Sequence, residues 1–331
     1  MDQDVMAQNE PEALIRVDEL WFPPDVIVIR AENKIFRVLG GILAARSTVF
    51  RDMIAFPQPA NNETENIDGF PVVRLHDSAE DVTSFLRAIY DSEYFMPAPA
   101  RLELSVILGI LRLSHKYDVL YLYKRALDHL AAGWYTETYD GNLDDHLIYG
   151  DSTPAYSLSV ISTALEVGAH WLLPFAYQCA ATFSAKQLLP FLEGKMGQYA
   201  LKALAAHQQM VRGIVSIQRF LIRSEPCLFA GTCDRARKIG LSHLLDDVSE
   251  GATDPFHCAE VEEYFESLTA DGLCGACLEV SRAKRHEAAT AFWNELPGVF
   301  GLQPWEDLRA MKQAAMGESS ESDSGGEGMA D

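Results

Sequence analysis

The chain has 331 residues, of which 48% are hydrophobic and 23% are charged, and its formal net charge is −21 at pH 7. This acidic balance argues against nucleic-acid and anionic-membrane partners, which proteins bind largely through Lys and Arg. No apolar run reaches the roughly 18 residues of a membrane span, and the N-terminus lacks the basic start of a signal peptide. We therefore expect an intracellular protein, of the cytoplasm or nucleus, whose six cysteines are thiols or metal ligands rather than disulfides.

The first third of the sequence predicts a small mixed domain. Two β-rich runs predict a hairpin over residues 25–38, with Asn33 at positive φ in its turn, and a third strand is predicted at 72–75. Ser78 and Asp81 have the spacing of a capping box, which predicts a helix with one apolar face. Further helices are predicted before and after this one. Strands and helices segregated in this way indicate an α+β fold.

A glycine pair, Gly40-Gly41, lies between the hairpin and the first predicted helix. Glycines in this position are typical of phosphate-binding loops. A P-loop also requires G-x-x-x-x-G-K-[ST], however, and no such lysine follows the pair. The pair is therefore interpreted as structural, allowing backbone freedom and a close approach of strand and helix.

Beyond residue 155 the pattern is helical almost throughout and shows none of the alternation typical of strands. This half is predicted to be all-α, with helices near residues 156–168, 172–184, 198–222, 233–247, 259–269, 276–296 and 304–316.

A set of short fragments in the first third carries a family resemblance. The fragments are Asp25-Val26, Phe36-Arg37-Val38, LAARS at 43–47, Phe50 with Met53, Phe85-Leu86 with Tyr90, and LSHKYD at 113–118. In this order and spacing they resemble the BTB/POZ family over about residues 20–132. The chain as a whole is similar to fungal, basidiomycete-type BTB proteins that append a helical C-terminal region.

The resemblance implies a protein-interaction module without catalysis. It implies a homodimer formed through the first helix and the N-terminal strand, with contacts from Asp25, Phe36, Leu43, Ser47, Phe50 and Met53. It also implies recruitment of a partner, as an adaptor for a cullin-type ubiquitin ligase or as a transcriptional regulator. In the family, His and a basic residue usually follow Phe-x-Val, whereas Leu39 and Gly40 occupy these positions here. The charged pocket that binds corepressors in some relatives therefore lacks the basic partner of Asp25.

Four of the six cysteines occur in two pairs, Cys227-x5-Cys233 and Cys274-x2-Cys277. Zinc takes four thiolate or imidazole ligands in a tetrahedron, so the pairs are candidate ligands for a structural zinc ion. The first pair is wider than the usual spacing of two to four residues. Alternative ligands are His243, His257 and Cys258. Two other interpretations stay open: buried unreactive thiols, and a thiol oxidoreductase with Cys274 as the nucleophile of its C-x-x-C motif.

These observations predict five segments. They are a disordered N-terminus at 1–17, a BTB/POZ-like domain at 18–133, an acidic linker at 134–155, an all-α region with a cysteine cluster at 156–316, and a disordered acidic tail at 317–331. The predicted function is homodimerisation and partner recruitment, and the alternative is the thiol oxidoreductase.

Overall fold

The computed structural model describes residues 25–56, 66–133, 153–222, 226–251, 253–256 and 261–317. The described residues form a small mixed sheet with helices, followed by a helical region, so the predicted fold class is confirmed. The segments predicted to be disordered, apart from Gly317, and most of the predicted linker lie outside the described residues, as do His257 and Cys258. None of the helices described combines the length and apolar character that crossing a membrane requires.

The sheet has four strands in the described residues. They are β1 (Val26–Ala31), β2 (Lys34–Leu39), β3 (Asn66–Ile67) and β4 (Phe70–Leu75), in the spatial order β2-β1-β4-β3. β1 pairs antiparallel with β2 and parallel with β4. Because β1 is internal, most of its side chains are buried, whereas every second residue of the edge strand β2 is exposed. The sequence did not predict β3, since two residues are too few to show an alternating pattern.

The β1–β2 turn corrects one sequence prediction. The residue at positive φ is Glu32, with φ of 47°, and not Asn33. A tertiary contact accounts for this choice, because the Glu32 carboxylate accepts a 3.1 Å hydrogen bond from the backbone N–H of Ala79. In the same region the Lys34 ammonium lies 2.6 Å from the Glu80 carboxylate. The turn conformation thus places an acceptor where the next helix begins.

Five helices follow in the first part of the chain: α1 (Gly40–Arg46), α2 (Thr48–Ala55), α3 (Ala79–Tyr90), α4 (Leu104–Lys116) and α5 (Leu120–Gly133). Ser47 separates α1 from α2 and caps the second of them, as its hydroxyl accepts from the N–H of Phe50 at 3.0 Å. Ser78 caps α3 as predicted, accepting from the N–H of Asp81 at 3.1 Å.

The predicted close approach at the glycine pair is present at Gly40. Its N–H donates a 2.7 Å hydrogen bond to the carbonyl of Asp25. A Cβ at this position would lie 3.1 Å from Ile27 and 3.3 Å from the Asp25 carbonyl oxygen. Neither glycine of the pair has positive φ, so the lack of a side chain matters here and backbone freedom does not.

The later helices follow the sequence predictions closely. They are α6 (Pro154–Glu166), α7 (Leu173–Ala181), α8 (Ala185–Leu188), α9 (Gly197–Ile217), α10 (Ala230–Ser249), α11 (Val261–Ala270), α12 (Gly275–Val299) and α13 (Trp305–Met316). The one-turn helix α8 was not predicted, because four residues are too short for a helical period to appear.

The chain divides into two compact units. The first comprises residues 1–82 and 117–119, and the second comprises 83–116 and 120–331. Within the second unit α4 packs against α6, where the Arg112 guanidinium donates a 2.9 Å hydrogen bond to the Thr163 hydroxyl. The helical region therefore packs on helices that lie within the predicted BTB/POZ-like segment. The segment boundaries given above stay a prediction.

Candidate functional site

The residues that the family resemblance assigns to a dimer contact fall into two groups. Leu43, Ser47 and Phe50 are buried in the first unit, with at most 1% of their surface exposed. Their side chains hold α1 and α2 in place, and Phe50 stacks on Tyr117 with ring centroids 4.7 Å apart. The other group is accessible: Asp25 is exposed, and Phe36 and Met53 are half-buried.

Large apolar side chains beside this second group reach solvent. Ile35 and Leu39 on β2 are 57% and 48% exposed, and Phe56 at the end of α2 is 72% exposed. None of the three was predicted as a contact residue. For Ile35 and Leu39, the alternation along β2 could have predicted the exposure, because every second residue of an edge strand lies on the same face.

The four paired cysteines converge in the second unit. The sulfur of Cys227 lies 3.6 Å from that of Cys233 and 3.9 Å from that of Cys274. With Cys277 included, all four sulfur atoms lie within 4.8 Å of one another. A regular tetrahedron with Zn–S distances of about 2.3 Å places its sulfurs about 3.8 Å apart. The arrangement therefore has the dimensions of a four-thiolate metal site.

The first turns of α10 and α12, together with a turn at Gly272, bring the sulfurs together. Cys233 lies in the first turn of α10, while Cys274 is the N-cap of α12 and Cys277 lies in its first turn. Gly272 turns the chain before Cys274 with φ of 108°, a conformation that favours glycine. The Asp-Gly dipeptide at 271–272 is the sequence signal for this turn.

Backbone N–H groups point at the sulfur atoms. The N–H of Phe229 donates to the sulfur of Cys227 at 3.2 Å, and that of Cys274 donates to Cys233 at 3.4 Å. The N–H of Cys277 lowers the pKa of the Cys274 thiol, whereas burial raises the pKa of Cys277. Donors of this kind stabilise thiolates, the form of cysteine that binds a metal.

A small hydrophobic core surrounds the sulfurs. Cys233 and Cys277 belong to a buried cluster whose other members are Phe220, Leu221, Ala236, Phe265, Leu268 and Leu273. Cys227 and Cys274 lie at its edge and are half-buried. Of the alternative ligands, His243 is exposed on α10 and is not part of the sulfur group.

The loop between Cys227 and Cys233 carries a feature that the sequence analysis missed. Leu228 is 98% exposed and Phe229 is 61% exposed, although both are large apolar residues. The backbone of Phe229 is held at the start of α10, because its carbonyl accepts the N–H groups of Thr232 and Cys233. The outer side of the sulfur group therefore borders solvent.

Comparison with known proteins identifies the first third of the chain. Residues 18–132 match the family described as the BTB/POZ domain, which here comprises β1–β4 and α1–α5. Proteins of this family are generally non-enzymatic, and their BTB domains generally self-associate and bind other proteins. No curated protein and no solved structure matches the chain significantly. The similarity of the whole chain to fungal BTB proteins stays a prediction.

Proposed function

We propose that this chain is a protein-interaction subunit that forms a homodimer through its BTB/POZ domain and recruits a second protein. The family match over residues 18–132 carries the proposal. The exposed side chains of Ile35, Leu39 and Phe56 support it, since a symmetric contact that covers them closes into a dimer and adds no further copies. Asp25 and Met53 would contribute to the same surface, whereas Phe36 alternates with Ile35 and Leu39 along β2 and would lie on the opposite face of the strand. Leu43, Ser47 and Phe50 would act by positioning α1 and α2.

Self-association can be tested with two differently tagged copies of the full chain. Co-expression should yield complexes that carry both tags, and these should survive purification through each tag in turn. Separately expressed copies, mixed only after purification, provide the control for exchange. Recovery of single-tagged protein alone after co-expression would contradict the proposed homodimer.

The recruited partner is proposed to be a protein, and the family resemblance suggests two roles for the chain. It would act as an adaptor that binds a cullin-type ubiquitin ligase, or as a transcriptional regulator that acts through a bound protein. Titration of the purified chain with the N-terminal domain of a cullin, followed by calorimetry, tests the first candidate. Tight duplex-DNA binding that weakens steeply with salt would instead indicate direct contact with nucleic acid, which the net charge of −21 opposes.

The second part of the proposal is a structural zinc ion held by Cys227, Cys233, Cys274 and Cys277. The sulfur separations and the N–H donors described above support it. When bound, zinc would connect α10 to α12, and the reducing environment of the cytoplasm or nucleus would keep the thiols available. Metal analysis of the chain purified without chelator should find one zinc per chain. Cobalt substitution should give the absorption bands of a tetrahedral four-thiolate site.

One observation favours the alternative function, a thiol oxidoreductase. Cys274 occupies the N-cap position of α12, and the backbone N–H of Cys277 lowers the pKa of its thiol, as in C-x-x-C enzymes. Two further sulfurs within 4.8 Å favour metal binding instead. Changing Cys274 and Cys277 to Ser separates the cases. Loss of metal together with stability supports zinc, whereas loss of disulfide reductase activity in a stable fold supports the enzyme. An unchanged protein indicates inert thiols.

A further inference from the structure

We propose that oxidation of Cys227 and Cys233 to a disulfide releases the zinc ion, so that the sulfur group acts as a redox-sensitive clip between α10 and α12. This inference rests on the zinc site proposed above. It concerns the regulation of that site by a peroxide-class oxidant and does not require catalysis by the chain.

The geometry favours Cys233 over Cys274 as the partner of an oxidised Cys227. The sulfurs of Cys227 and Cys233 are 3.6 Å apart, closer than the 3.9 Å between Cys227 and Cys274. A disulfide has an S–S distance of about 2.05 Å, so the two sulfurs need to approach by only about 1.5 Å. Cys227 precedes α10, which begins at Ala230, and is therefore free of the helical backbone that constrains Cys233.

Within this pair, access of the oxidant favours Cys227 as the first sulfur to react. Its side chain is half-buried, whereas Cys233 is fully buried. The two residues that follow it, Leu228 and Phe229, are the exposed apolar pair described above, and they leave the outer side of the loop open to solvent. A small polar oxidant can therefore reach the sulfur of Cys227 before that of its partner.

The chemistry proceeds in two steps with hydrogen peroxide as the oxidant. The Cys227 thiolate attacks one peroxide oxygen, the O–O bond breaks, and a sulfenic acid and a hydroxide ion form. The Cys233 thiolate then attacks the Cys227 sulfur and displaces the second hydroxide as the S–S bond forms. Two thiolates lose two electrons, one peroxide molecule gains them, and zinc is left with two of its four ligands.

The position of this disulfide determines its effect. Cys227 and Cys233 both lie near the beginning of α10. A disulfide between them therefore closes a short loop and leaves α10 unconnected to α12. A disulfide between Cys227 and Cys274 would have the opposite effect, because it would replace the metal by a covalent connection between the two segments. The inferred switch therefore loosens the hydrophobic core that contains Phe265 and Leu268.

The test uses the full chain loaded with zinc and titrated with hydrogen peroxide. A chromogenic chelator measures the released zinc, and tryptic digestion locates the disulfide. Residues 224–235 form one tryptic peptide that contains Cys227 and Cys233, whereas Cys274 and Cys277 fall in another. We expect one zinc released per disulfide, with the 224–235 peptide two hydrogens lighter. A phosphine reductant and zinc should restore the starting state.

Each other outcome overturns the inference. Zinc that stays bound while peroxide is consumed contradicts the switch, as does a disulfide that joins the two peptides or that links Cys274 to Cys277; none of these results contradicts the proposal that the reduced chain binds zinc. A chain that holds no zinc before oxidation contradicts the zinc site and the switch together. The Cys179→Ser variant is the matched control, because Cys179 lies outside the sulfur group; its zinc release should equal that of the wild type.

Discussion

The Ser47 hydroxyl donates a 2.5 Å hydrogen bond to the backbone carbonyl of Tyr117, 70 positions later in the chain. The same oxygen accepts the N–H of Phe50 and so caps α2. The neighbouring Thr48 hydroxyl donates to the carboxylate of Asp118. Two fragments that carry the family resemblance, LAARS and LSHKYD, are thus joined by a buried hydrogen bond. Their occurrence in one sequence has a direct structural reason.

Ser47→Ala should destabilise the protein by about 2–4 kcal/mol. The variant loses a helix cap, which typically contributes about 1 kcal/mol, and leaves the buried Tyr117 carbonyl without its donor, at a further cost of about 1–3 kcal/mol. Urea unfolding followed by circular dichroism measures the change. Ser184→Ala removes a cap from α8 at an exposed position and should cost less. Equal losses in the two variants would contradict the role given to the buried bond.

Gly213→Ala should also destabilise the chain, because α9 approaches α12 closely at this residue. A Cβ on Gly213 would lie 2.6 Å from the Phe292 ring, and overpacking of a core typically costs about 1–3 kcal/mol. Gly298→Ala is the matched control. Nothing lies within 4 Å of a Cβ there, so the helical propensity of alanine should stabilise α12 by up to about 1 kcal/mol. Thermal unfolding should therefore shift in opposite directions in the two variants.

Removal of zinc should lower the stability of the second unit. Binding at about 100 times the dissociation constant contributes about 2.7 kcal/mol, so a strong chelator should lower the melting temperature of the wild type. Cys233→Ser should melt lower than the wild type without chelator and should show no further decrease with it. Cys179→Ser should respond to chelator as the wild type does. A chelator effect that persists in Cys233→Ser would place the metal elsewhere.

The double variant Leu39→Ser, Phe56→Ser should weaken dimerisation without unfolding the domain. Both side chains are largely exposed in the single chain, so their loss costs little stability but removes apolar area from the proposed contact. We expect the dimer dissociation constant to rise at least about tenfold, which corresponds to about 1.4 kcal/mol. Sedimentation velocity across a concentration series measures this change.

A matched surface variant controls for that result. Leu201→Ser, Val215→Ser changes two side chains of α9 that are exposed to a similar degree. Its dimer dissociation constant should equal that of the wild type. Comparable weakening in both double variants would indicate a general loss of surface apolarity and not a contact on β2 and α2.

The sequence predicted those parts of the fold that depend on local pattern. The cap of α3 by Ser78 and the later helices depend on periodicity and on neighbouring residues, and these were found close to their predicted positions. The positive φ at Glu32 was missed because it depends on a tertiary contact with Ala79. A short-range turn preference favours Asn and contains no information about that contact.

In the candidate sites, too, the sequence predicted what depends on local pattern and missed what depends on tertiary structure. A family resemblance assigns a position but not its exposure, so it grouped the buried Leu43 with the accessible Met53. The pairing of cysteines suggested a metal, but the wide first spacing left the suggestion open. Cys227 comes within reach of Cys274 only through the packing of α11 against both α10 and α12 and through the turn at Gly272. Such proximity depends on tertiary structure, which spacing along the chain does not show.

Sedimentation equilibrium of the untagged 331-residue chain is the most direct test of self-association. The chain mass is 36.8 kDa. We expect a single species of twice that mass at micromolar concentration, in buffer with a reductant and zinc. A mass equal to one chain across the micromolar range would contradict the homodimer and, with it, the proposed function of the BTB/POZ domain.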